Sequence, residues 1–167
     1  MIRFITCDDN KEALDKTVNA IRKIMMPYDF DYKISKFNKY DEELHKLIMS
    51  KDEQKVYILD VEMPNVSGLE IATEIRNNGD WESMIIFVSA HPECRDDIIF
   101  YRIMALDFIS KFYEYEKRLE ESLIKVLEIY DKKMVLKDLS FKLESGKHYA
   151  LVGSSGSGKT TTAKLIS

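Results

Sequence analysis

Cysteine, proline and glycine are scarce here: 167 residues include two Cys, three Pro, six Gly and a single Trp. So little glycine and proline excludes a collagen-like or low-complexity chain. Cys7 and Cys94 lie too far apart for a CxxC redox motif or a zinc-ligand spacing, and they read as reduced, half-buried thiols. No apolar run approaches the ~20 residues of a membrane helix. The opening MIRFITCDDN has no basic stretch followed by an apolar one, so no secretory signal is expected and the expected compartment is the cytoplasm. What is present is ordinary for a globular chain, 45% hydrophobic and 32% charged residues. Its length suits one domain of about 100–200 residues and leaves little for a second full core.

The net charge of −4 is unevenly spread. Residues 134–167 carry Lys137, Lys142, Lys147, Lys159 and Lys164 against Asp138 and Glu144, a balance of +3, which leaves −7 on residues 1–133. An acidic body with a basic tail suggests two pieces, 1–131 and 132–167, of different origin. The acidic body argues against nucleic-acid binding through bulk electrostatics.

Apolar runs and helical stripes alternate along the body. Ile2 to Cys7 is a short buried strand running into Asp8-Asp9-Asn10. Leu14, Val18, Ile21 and Met25 then recur at helical spacing, with Asn10 or Asp9 as cap and Pro27 as stop. Phe30, Tyr32 and Ile34 alternate like a half-exposed strand, and Leu44, Leu47 and Ile48 stripe a second helix. A third strand over 56–61 contains Asp60, and the turn Met63 to Gly68 leads to a helix with Leu69, Ala72 and Ile75. Met84 to Val88 is a fourth strand ending at Ser89, and 92–105 is expected to be helical. Asp107-Phe108-Ile109 is a fifth strand followed by Ser110-Lys111, and a last helix is expected over 113–131. Five βα units in succession imply an α/β fold: a parallel sheet with right-handed crossovers, helices on both faces and ligands at the carboxyl ends of the strands.

Those ends carry Asp8, Asp9, Asp60, Ser89 and Lys111. Three carboxylates in one crevice repel each other unless a cation is present, and an all-oxygen site suits Mg²⁺ with waters retained. One carboxylate can then attack a phosphoryl group while the metal and a lysine stabilise the transferring oxygens. Asp60 stands alone and is the best nucleophile, Lys111 would pair with the phosphoryl oxygens, and Ser89 offers a hydroxyl.

Residues 1 to about 130 resemble a response-regulator receiver domain, and the run Asp60-Val61-Glu62-Met63-Pro64-Asn65-Val66-Ser67-Gly68-Leu69-Glu70 resembles the loop around that family's phosphoacceptor. The resemblance implies a flavodoxin-like, doubly wound five-stranded sheet of order 2-1-3-4-5. It implies Mg²⁺ on Asp8, Asp9, Asp60 and the backbone carbonyl of Glu62, and a phosphoryl group taken by Asp60 from a sensor histidine kinase. It further implies Ser89 and Phe108 as a switch pair, and a homodimer through the face formed by the fourth helix, fifth strand and last helix. Receivers usually have Lys-Pro where this chain has Lys111-Phe112. The stretch Phe100 to Lys111 resembles the peptide quorum-sensing branch with LytTR DNA-binding effectors, which often lacks that proline. Glu62 and His91 flank the approach of a hydrolytic water and would tune dephosphorylation, the alternative being two solvated loop residues.

In the tail, residues 134–167 read as strand, turn at Ser145-Gly146, strand, glycine loop and helix start. Gly153-Ser154-Ser155-Gly156-Ser157-Gly158-Lys159-Thr160 matches GxxxxGK[ST], followed by Thr161, after the apolar strand Tyr149 to Val152. In such a Walker A loop the backbone amides wrap phosphates, the lysine reaches the terminal ones, and the threonine ligates Mg²⁺. Val135 through Ser167 resembles the opening of an ABC-transporter nucleotide-binding domain; Walker B, signature and switch elements would lie beyond Ser167. Tyr130 is either an adenine-stacking aromatic or, by its spacing from Val126 and Leu127, a core residue. ATP is therefore a candidate ligand rather than an expected one, and no ATPase activity is expected. The residues point to a receiver that switches a protein-interaction face without direct nucleic-acid output, its output open between a phosphate sink, a dimerising switch and a regulator of a transporter complex. The competing reading is an ATP-binding transporter fragment with an attached receiver.

Overall fold

A computed structural model of the protein describes residues 1–28, 31–91 and 103–137, the last six by backbone alone. In chain order these form β1 (Ile2–Cys7), α1 (Lys11–Met25), β2 (Tyr32–Phe37), α2 (Glu42–Met49), β3 (Gln54–Asp60), α3 (Gly68–Asn77), β4 (Met84–Ser89), β5 (Asp107–Ser110) and α4 (Tyr115–Lys137). The sheet is fully parallel, ordered β2-β1-β3-β4-β5. The chain order reverses at β1, so the carboxyl ends of β1 and β3 flank the switch-point crevice in which doubly wound sheets bind ligands.

Local chemistry sets the element ends. Asn10 caps α1 by accepting from the amides of Glu12 and Ala13 at 2.9 and 3.1 Å, and the stripe Leu14, Val18, Ile21, Met25 is buried as expected. Ser67 and Glu70 form a reciprocal capping box at the start of α3. β1, β3 and β4 are apolar and almost wholly buried, as a sheet covered on both faces requires.

Several boundaries differ from those expected. β3 begins at Gln54, which pairs with Ile2, and ends at Asp60 instead of Val61. Val61 still donates to the Val88 carbonyl at 3.0 Å, but its own carbonyl accepts from the Gly68 amide at 3.1 Å, which turns the chain out of the sheet. Residues 92–102 of the expected fourth helix lie outside the described residues, as does Phe30 of the second strand. Ile103, Met104 and Ala105 are not helical: Met104 is left-handed, with φ 54°. Arg76 of α3 ties this segment down, donating from Nε to the Ile103 carbonyl at 2.7 Å and from Nη1 to the Asp80 and Ser83 carbonyls at 2.5 and 3.1 Å.

α4 begins at Tyr115 instead of 113, because Glu114 is left-handed at φ 45°. It runs past 131 to Lys137, through the residues 134–137 expected to begin a strand. Lys132, Lys133, Met134, Leu136 and Lys137 are good helix formers, and extending a helix needs no new nucleus, whereas a lone strand has no ladder to join. Met1–Ile124 and Lys125–Ser167 are two compact units. In the second, Val126, Leu127 and Tyr130 are buried, in keeping with the core reading of Tyr130. The glycine loop at 153–161 lies outside the described residues. No helix among the described residues is long and apolar enough to cross a membrane.

Candidate functional site

Each strand end delivers one part of the site. β1 places Asp8 and Asp9, β3 places Asp60, β4 places Ser89, and the residue after β5 is Lys111. Asp8 and Asp60 are buried, Asp9 is exposed, and carboxylate oxygens of the three lie within 4.8 Å of one another. The Lys111 ammonium is 2.7 Å from Asp8 Oδ2 and donates to Asp60 Oδ2 at 2.7 Å, bridging the two buried carboxylates. The main-chain Lys111 amide donates to the Ser89 carbonyl at 2.8 Å, continuing the β4–β5 ladder and fixing where the lysine stem starts.

Two forces act on Asp60. Burial raises its pKa above 3.8 and the Asp8 charge adds to this, while the bond and charge of Lys111 oppose it. For Lys111 burial alone would lower the pKa, but the bonds to Asp60 and Asp8 outweigh it and hold the ammonium above 10.5. Two acids and one cation leave one negative charge in the inner pair, with Asp9 facing solvent beside it. An all-oxygen set of that charge, open on one side, fits Mg²⁺ and is poor for a soft metal.

A cleft of about 420 Å³ opens over this cluster, its walls including Asn10, Glu62, Ala90, Phe112 and Tyr115. Ser89 is fully buried, and its hydroxyl is turned onto the backbone of His91, accepting from the amide at 2.8 Å and donating to the carbonyl at 3.2 Å. Phe108 pairs in register with Phe87 and is half-buried against the core. Glu62 and His91 meet across the rim, Oε2 to Nε2 at 3.0 Å, with both side chains about half exposed. The main-chain amide of Glu62 approaches Asp60 Oδ1 at 3.4 Å.

Three neighbours escaped the sequence reading. Gly68 sits against β3 so closely that a Cβ there would lie 2.1 Å from the Asp60 carbonyl oxygen, and the only sign in the sequence is a glycine opening a helix after Ser67. Tyr115 and Thr17 join α4 to α1 through a 2.5 Å hydrogen bond; the Thr17 hydroxyl also donates to the Ala13 carbonyl at 3.0 Å, so Tyr115 is the donor. Thr17 is a polar residue on the buried stripe of α1, which was the available signal. Cys7, expected to be half-buried, is fully buried because it ends a strand covered on both faces, and lies 3.6 Å from the Met63 sulfur; Cys94 lies outside the described residues.

Burial, with the nearby charges of Asp8, Asp41, Asp60 and Asp9, pushes the Cys7 thiol up from 9.0 to about 12. Peptide mapping after iodoacetamide treatment should find Cys7 unmodified in folded protein at mildly alkaline pH and modified once denaturant is added. Between 9.0 and about 12 the folded thiol keeps a proton that the unfolded one has lost. Stability should therefore fall as pH rises through that window, and Cys7→Ala should flatten the fall.

Fold and site define a doubly wound α/β protein that presents a carboxylate cluster with a bridging lysine at its switch point. Residues 4–124 match the response regulator receiver domain, and the chain belongs to that family. Receiver domains bind Mg²⁺ through an acidic pocket, which is Asp8, Asp9 and Asp60 here, and are phosphorylated by histidine kinases. Similar solved structures include the response regulatory domain of protein mrkE from Klebsiella pneumoniae (TM-score 0.64, 19% identity, 78% of this chain and 98% of that one). A CheY-like receiver domain protein from Methanospirillum hungatei gives a TM-score of 0.61 at 19% identity, covering 80% of this chain and 98% of that one. At such identities the likeness is one of fold. Residues 136–167 match the ABC transporter family. Multidrug resistance protein 1 from two Plasmodium falciparum isolates is 34% identical over 114 residues, covering 66% of this chain, and the chain spans 7% of the length of those relatives.

Proposed function

We propose that Asp60 is the phosphoacceptor, and the observation that carries the reading is its buried carboxylate held at 2.7 Å by Lys111 beside Asp8. Lys111 holds Oδ2, so Oδ1 is the attacking oxygen. The P–N bond of a kinase phosphohistidine breaks as the P–O bond to Asp60 forms, and the imidazole leaves with a proton from solvent. Mg²⁺, held by Asp8, Asp9, Asp60 and the Glu62 carbonyl, would supply positive charge to the transferring oxygens. Lys111 supplies the same from the protein. Ser89 then exchanges its His91 backbone contacts for a phosphoryl oxygen, and Phe108, half-buried against the core on the neighbouring strand, turns inward. The readout is homodimerisation through the face of β5, α4 and the helix expected over 92–105, of which 92–102 lie outside the described residues.

Borohydride reduction of the phosphorylated chain converts an aspartyl phosphate to homoserine. Peptide mapping should place it at residue 60; placement at Asp8, Asp9 or elsewhere would overturn the assignment. Glu62 and His91, paired at the rim, tune hydrolysis of the phosphate in this reading. His91→Ala should change the lifetime of the phosphorylated chain, and equal lifetimes would remove that role.

In this proposal the receiver spans 1–131 and residues 132–167 are a P-loop segment, of which 132–137 continue α4. The branch is the LytTR type, the compartment is the cytoplasm, no nucleic acid is bound directly, and the chain hydrolyses no ATP. The match of residues 136–167 to ABC transporters favours a second reading, an ATP-binding transporter fragment with an attached receiver in which Gly153 to Thr161 form a Walker A loop. Retention of a fluorescent ATP analogue that is lost in Lys159→Ala would support it, and no retention would exclude it.

A further inference from the structure

We propose that Phe112 selects the leaving group of the phosphodonor, favouring the imidazole ring of a phosphohistidine over a donor without a ring; this rests on Asp60 as the phosphoacceptor. Phe112 directly follows the lysine that grips Asp60, lines the cleft above the cluster, and is 81% exposed. Its main chain is held where β5 ends, since its amide donates to the Ser110 hydroxyl at 3.3 Å. Of the other groups in the cleft wall, Ala13 and Ala90 are too small to offer a flat surface, and the second aromatic, Tyr115, is tied by its hydroxyl to Thr17 at 2.5 Å, which leaves Phe112 as the exposed ring. Asp60, Lys111 and Asp9 supply the charged floor.

Phosphoryl transfer is in line, so the leaving group stands on the far side of phosphorus from Asp60, toward the mouth of the cleft. An aromatic at the mouth therefore meets the leaving group and not the phosphoryl oxygens, which would face Lys111 and the Mg²⁺ that the carboxylates would hold. An imidazole is flat, with π faces that an exposed phenyl ring can stack against or meet edge-on. The P–N bond that breaks and the P–O bond that forms are the same for every phosphoramidate donor, so the ring contact separates one donor from another.

Three small donors divide the effect in the full-length protein in Mg²⁺ buffer: phosphoimidazole, which has the ring, and phosphoramidate and acetyl phosphate, which lack it. The readout is the rate at which the phosphorylated mass appears. In Phe112→Ala the rate from phosphoimidazole relative to phosphoramidate should fall about three- to tenfold, the size of one aromatic contact, and Phe112→Tyr should keep the wild-type ratio. An unchanged ratio in Phe112→Ala, or equal losses with all three donors, would overturn the role of the ring while leaving Asp60 in place. Failure of every donor on the wild-type chain would instead overturn the phosphoacceptor assignment and this inference with it.

Discussion

Gly68→Ala is expected to lower the phosphorylation rate by about a hundredfold, the usual effect of moving a reacting group by about 1 Å, and to cost about 1–3 kcal/mol of stability. The added Cβ would lie 2.1 Å from the Asp60 carbonyl oxygen, 2.9 Å from its carbonyl carbon and 3.3 Å from the Leu59 Cβ. Two of these atoms are backbone and cannot rotate away. Neither side yields easily: the Gly68 amide is bonded to the Val61 carbonyl, and Ser67 and Glu70 lock the start of α3 by their capping box. Relief must come from the end of β3, which carries the Asp60 side chain. Phosphorylation rates and denaturant midpoints for Gly68→Ala check both parts. A wild-type rate would show that Asp60 tolerates movement, contrary to this account.

Lys111→Met should have the second largest effect. It keeps the length of the stem and removes the charge that two buried carboxylates share. Breaking a buried ion pair by removing one partner typically costs about 3–5 kcal/mol, and losing the cation beside a transferring phosphoryl group costs about 10²–10³-fold in rate. The stability loss should depend on conditions. Burial already raises the Asp60 pKa, and without Lys111 that rise is unopposed, so the folded chain binds more protons than the unfolded one at pH above 3.8. Stability of the variant should thus increase as pH is lowered toward 3.8, and at neutral pH it should recover on addition of Mg²⁺. Thermal unfolding in chelator at two pH values, then with Mg²⁺, checks the sign. A loss independent of both would mean that Lys111 acts through packing alone.

Much of the site was legible because the strands of a covered parallel sheet are apolar, so polar residues at their carboxyl ends stand out, and Asp8, Asp60, Ser89 and Lys111 stand there. The same logic explains the misses. Gly68 matters through an atom it lacks, and the closeness of β3 that makes this important exists only in the fold. Arg76 reads as a charged position on a helix, yet it is buried and holds the Ile103, Asp80 and Ser83 carbonyls, partners supplied by the turn after its own helix and by the segment entering β5. Residues 134–137 have the apolar character of a strand, but continuation of α4 decides their form. Tyr115 and Thr17 are 98 residues apart, and no local pattern announces that they meet.

The central claim, that Asp60 accepts a phosphoryl group, is tested most directly by intact mass after incubation with Mg²⁺ and acetyl phosphate, for the wild type and Asp60→Asn. This account predicts a single phosphoryl adduct on the wild type and none on the variant. An adduct of equal yield on Asp60→Asn, or none on folded wild-type protein, would contradict it.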